Sequence, residues 1–129
     1  MSKQEVFNKV AKHLLAQRER SENATRCLYL DPAGNRCAVG ILLSEEDCKR
    51  FDNPDDHPEL SKKLAAANIP NSCGLGVTEI VMLAPEALGD AAKYERLLMD
   101  LQRMHDQEPP SMWEESLVEL ANDYSLEMV

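Results

Sequence analysis

The sequence predicts an α+β domain, mostly α, with about five to seven helices around one small antiparallel β-hairpin, all in a single domain spanning residues 1–129. Two observations carry this. Apolar residues recur at helical spacing along most of the chain, whereas residues 27–43 form the only run of strand-like composition. That run also holds the strongest turn signal, Asp31-Pro32-Ala33-Gly34. No internal repeat, low-complexity tract or linker divides the chain.

Taking the elements in order, Ser2 and Glu5 fit a capping box, in which hydroxyl and carboxylate satisfy the first backbone donors of a helix. Val6, Phe7, Val10, Ala11, Leu14 and Leu15 then form one apolar stripe. Residues 18–25 are polar and read as a surface connection. Cys27, Leu28, Tyr29 and Leu30 suit a strand, and Asp31 to Gly34 a type I turn with a bulge. In that register Asp31 pairs with Asn35 and Tyr29 lies opposite Cys37. Cys27 and Cys37 become diagonal neighbours on one face, too far apart for an unstrained disulfide and better read as two buried thiols.

A lone hairpin is marginal in water and has to lie against helices. The apolar residues 38–43 supply the attachment by turning helical, with Gly40 marking a close backbone approach to another helix. Ser44 followed by Glu45, Glu46 and Asp47 starts a short helix that turns Cys48 and Phe51 inward. Residues 52–57 form an acidic loop whose Asp55 or Asp56 caps the next helix. Pro58 opens that helix, with Leu60, Leu64 and Ala65 on one face, and Asn68 and Pro70 end it. A loop follows around Cys73. Residues 77–83 have β-branched content but are read as helix, because no partner strand is evident. Residues 85–88 make a helical turn, and residues 91–106 a long amphipathic helix marked by Tyr94, Leu97, Leu98, Leu101 and Met104. After Pro109-Pro110, Ser111 and Glu114 form a further capping box for a last helix carrying Trp113, Leu117, Leu120, Ala121 and Tyr124.

With 43% hydrophobic and 29% charged residues the composition is that of a soluble globular protein, and 5% aromatics leaves a core of Leu, Val, Ala and Met. Fourteen Lys and Arg against 23 Asp and Glu give a net charge of -9. That argues against general nucleic-acid binding, which needs a basic surface, and suits either plain solubility or a partner that is itself basic. No secretory signal, bilayer-length apolar run or lipidation box is present, so four cysteines read as free thiols in a reducing, cytoplasmic setting.

Chemistry is harder to find. The cysteines are separated by nine, ten and 24 residues, without the tight pairs of structural zinc, so neither metal nor cofactor is expected. The acidic loop at 52–57 lacks the glycine and distal glutamate of an EF-hand. Glu45-Glu46 and Glu114-Glu115 sit in first helical turns, where dipole compensation explains them. A nucleophile would be Cys37 at the strand-to-helix junction; the base would be His13, His57 or His105, which only the fold can bring to it, with His105 the one put forward.

The residues Cys27, Tyr29, Gly34, Cys37, Ala38, Val39 and Gly40 spell a Cys-x-Tyr-x-x-x-x-Gly-x-x-Cys-Ala-Val-Gly pattern. Together with the first helix, Leu97, Leu98, Leu101, Gln102, His105 and the Trp113 helix, it resembles a group of small bacterial and bacteriophage-associated proteins. The resemblance covers most of the chain except about residues 52–81. It implies a compact intracellular accessory protein carried on mobile elements, and offers no catalytic role to carry over.

The reading that results is a small acidic protein, monomer or homodimer, that binds another protein with a basic surface and neither nucleic acid nor membrane directly. Asp52, Asp55, Asp56, Glu45 and Glu46 are its candidate partner-binding residues. By analogy with phage-borne proteins the partner is a host nucleic-acid-directed system, inhibited by occupation of its surface or by DNA mimicry. The alternative is a cysteine-dependent enzyme using Cys37 and a histidine.

Overall fold

A computed structural model of the chain describes residues 1–23, 26–69 and 74–128. The first helix, α1 (Lys3–Gln17), forms as its sequence dictates. Ser2 Oγ accepts from the Glu5 N–H, the Glu5 carboxylate accepts from the Ser2 N–H, and Val6, Phe7, Val10, Ala11 and Leu14 are buried. Five further α-helices follow among the described residues: α2 (Glu45–Asp52), α3 (Pro58–Ala66), α4 (Val77–Leu83), α5 (Glu95–Gln107) and α6 (Trp113–Asp123). Short 3-10 turns at Gly40–Leu42, Pro54–Asp56, Pro85–Ala87, Gly89–Tyr94 and Pro110–Met112 join them.

The expected β-hairpin is absent. Among the described residues there is no strand and no sheet, only two isolated bridges, Glu22 with Cys27 and Leu30 with Arg36. The chain does reverse at Asp31, where the Asp31 N–H donates to the Asn35 carbonyl and Gly34 adopts φ +90°. It does not build a ladder because side chains from elsewhere take the backbone donors. The Tyr29 and Leu30 N–H groups donate to Asp52, Ala33 and Asn35 donate to Asp31, and Arg36 donates to Gln17. Backbone donors must be satisfied somewhere, and here that need is met without a sheet. The fold is all-helical, with one long irregular segment threaded through it.

Other local expectations shift for equally concrete reasons. Gly40 does mark a close approach, but to the Tyr29 carbonyl and not to a helix: a Cβ there would sit 2.1 Å from that oxygen. His57, not Asp55 or Asp56, is the N-cap of α3, and it makes no capping bond. The long helix starts at Glu95, after the 3-10 turn Gly89–Tyr94. The capping box at Ser111 does not form, because Pro110 initiates a 3-10 turn that holds Ser111 inside it and makes Met112 the cap of α6. Ala65 is exposed. Pro70 and the loop around Cys73 fall outside the described residues.

The core has two adjoining parts. One gathers Val6, Phe51, Leu64, Ile80 and Leu98 with Cys37 and Cys48. The other packs α1, α5 and α6 through Phe7, Leu14, Leu101, Trp113 and Leu117. Leu42 and Tyr94 touch both, so the apolar interior is continuous. No helix among the described residues is long and apolar enough to cross a membrane.

Candidate functional site

The acids singled out by sequence do not form one surface. Asp52, the last residue of α2, is only 5% exposed. Its Oδ1 accepts from the Tyr29 N–H at 2.9 Å and its Oδ2 from the Leu30 N–H at 3.2 Å. Burial raises its pKa above the ordinary carboxylate value, against those two bonds and the nearby Arg26, which lower it. It is a structural anchor turned away from any partner. Glu45, Glu46, Asp55 and Asp56 are exposed, but Glu45 pairs with Lys49 at 3.2 Å and neighbouring Asp47 with Arg50 at 2.9 Å. Much of the charge on α2 is therefore compensated within its own helix.

Cys37 is fully buried, and its sulfur accepts from the Gly40 N–H at 3.2 Å. Burial pushes its thiol well above the ordinary value, outweighing that bond. Cys48 is buried too, bonded to the Gly40 carbonyl and pushed up to about 11 by burial. Neither is poised as a nucleophile, which requires a thiolate and access. Cys27 departs from the sequence reading: it is half-buried rather than packed inward, and it is a free thiol.

The histidine proposed as base has different partners. His105 is fully buried on α5, stacked on Trp113 with ring centroids 5.3 Å apart. Its Nε2 accepts from the Ser21 N–H at 3.1 Å, which leaves the proton on Nδ1, donated to Asp106 Oδ1 at 2.8 Å. The Gln102 amide donates to the same oxygen at 2.9 Å, and the Cys27 sulfur lies within 4.8 Å of the Asp106 carboxylate. Burial first, then the charge of Asp106, push Cys27 up to about 11.

This thiol–carboxylate–imidazole chain was not foreseen. Its members are far apart in sequence, and only the adjacency of His105 and Asp106 hinted at it. Cys27 and Asp106 line a cavity of about 190 Å³ with Arg26, Tyr29, Asp52 and Gln102. Nucleophilic catalysis needs a thiol that ionises readily; here burial and the neighbouring Asp106 carboxylate hold Cys27 in its protonated form. The same three side chains have ligand atoms within 4.8 Å of one another, as a metal would require. A metal at Nδ1 would move the proton to Nε2, directly against the Ser21 N–H. The arrangement fits a polar network that ties Ser21 and Cys27 to α5, and does not fit a metal centre.

What remains for function is the surface, and there the charge is uneven. Residues 104–129 hold seven of the 23 acidic side chains and none of the 14 Lys and Arg, so seven of the nine net negative charges lie in them. Glu108, Glu114, Glu115, Glu119, Asp123 and Glu127 are exposed. Val118, 40% exposed, sits on the outer side of α6 with Glu114 and Glu115 one turn before it. Counting charge by segment would have found this in the sequence; the total of -9 conceals it. Comparison of the chain with protein families, with curated proteins and with solved structures finds no match in any of the three.

Proposed function

We propose that the protein acts by binding another protein with a basic surface, through exposed groups and without chemistry of its own. One observation carries this reading: Cys37, Cys48, Asp52 and His105 are all buried, and each is bonded to backbone that it helps hold in place. The side chains that could do chemistry are thus engaged in the fold, whereas the acids of residues 104–128 are largely free of cations. A basic groove that otherwise holds nucleic acid has the complementary charge.

The experiment is affinity capture from the source organism with wild-type protein and with Cys27→Ala, followed by mass spectrometry and reconstitution of the complex from purified components. A stoichiometric, salt-sensitive complex that both proteins form equally supports binding. A cellular effect that Cys27→Ala abolishes while the purified complex still forms would sink this reading in favour of thiol chemistry.

A further inference from the structure

Between α5 and α6 runs a groove of about 280 Å³. Met104 and Leu120 give it apolar lining, and Asp100, Glu108, Glu119 and Asp123 contribute carboxylates. Arg103 is the one cation among its lining residues, 3.7 Å from Asp100. The acids of α2 have cations three and four residues on, as Glu45 has Lys49 and Asp47 has Arg50; Glu119 and Asp123 have none within 104–129. Tyr124 reports the local field: its hydroxyl donates to Asp100, and its phenol is pushed up to about 12 by burial first and then by that bond and charge.

Apolar lining beside carboxylates matches one kind of side chain. Lysine and arginine carry an aliphatic stem that lies on apolar surface and a cationic head that seeks carboxylates. We infer that the α5–α6 groove docks a lysine- or arginine-bearing segment of the partner protein. This deepens the binding function proposed above and rests on it.

The probe is a blocked Ala-Arg-Ala peptide titrated into the isotope-labelled full chain, with the isosteric, uncharged citrulline peptide as control. The expected result is saturable amide shifts at Met104, Glu108, Glu119, Leu120 and Asp123. Binding should weaken at least about ten-fold with citrulline and again in Glu119→Lys/Asp123→Lys, whose spectrum elsewhere stays that of the folded protein. Shifts spread equally over Glu45, Glu46, Asp55 and Asp56 would mean general counter-ion attraction and overturn the inference. So would equal binding of both peptides, or self-association of the chain lost in the same variant, which puts a second copy in the groove. The failures separate: a partner complex that survives Glu119→Lys/Asp123→Lys removes the groove and leaves the binding function standing. Arginine binding in the groove with no partner complex from wild-type protein removes the function instead.

Discussion

The segment between α1 and α2 and the pair α5–α6 manage polar groups in opposite ways. Among the described residues, 18–23 and 26–43 hold one 3-10 turn and no α-helix, yet Leu28, Tyr29, Cys37, Ala38, Val39 and Gly40 are buried. Their backbone would be costly to bury unpaired, and side chains from every side pair it. Asp52 takes two N–H groups, Asp31 three, and Gln17, Gln102 and His105 one each at Arg36, Val39 and Ser21. The pair α5–α6 satisfies its backbone within the helices, so its acids can face water. Polar residues of the first region are stability devices, and those of the second are available for recognition. Substitutions should separate the two regions sharply.

The largest effect belongs to Gly40→Ala. The new Cβ would meet the Tyr29 carbonyl at 2.1 Å, and backbone cannot rotate away as a side chain can. Denaturant unfolding should register a loss of about 3 kcal/mol or more, with a chain that fails to fold as the extreme case. Asp52→Ala comes next, stranding the Tyr29 and Leu30 donors in a site 5% exposed. About 2 to 3 kcal/mol should be lost, and Asp52→Asn, which keeps one acceptor, should recover part of it. An Asp52→Ala protein as stable as wild type would break the comparison at its base.

These two positions also show what the sequence made legible. Gly40 could be read as a close approach because glycine in an apolar run has few other reasons to be there, but its neighbour could not be named. Asp52 looked like an ordinary member of an acidic loop, since nothing local says that its oxygens face a segment more than twenty residues earlier. The reversal at Asp31 is a local property and was readable; whether its flanks become strands depends on Asp52 and Gln17, remote side chains that compete for the same donors. Helix α1 was readable throughout because its cap and stripe are both local. The network of Cys27, Asp106 and His105 spans most of the chain and has no local signature, whereas the acidity of residues 104–129 needed only counting.

A smaller effect, and one that sharpens the contrast, is alkaline sensitivity. Cys27 and Cys48 titrate at about 11 in the fold against 9.0 ordinarily, and Cys37 lies well above that value. The folded chain holds these protons more tightly than the unfolded one, so their contribution to stability is present below about pH 9 and is lost as pH rises towards 11. The melting temperature should fall over that window, and Cys27→Ala should flatten part of the fall. A melting curve unchanged between pH 8 and 11 would remove the interior thiols from the stability argument.

The smallest effect on stability should come from Glu114→Lys, and its smallness is the point. Glu114 is exposed in the first turn of α6, where its charge favours the helix dipole, so reversing it costs only about 0.5 kcal/mol. Its effect on a basic partner should instead be visible in association rate and salt dependence, because exposed charges steer encounter more than they hold a complex. Stopped-flow or surface-binding kinetics at low and high salt, on the complex reconstituted with the captured partner, would measure both. A Glu114→Lys protein with wild-type stability and slowed, less salt-sensitive association places recognition on α6. If Glu46→Lys on α2 slows association more than Glu114→Lys does, the recognition surface lies at α2, and the division of labour between interior and C-terminal pair fails.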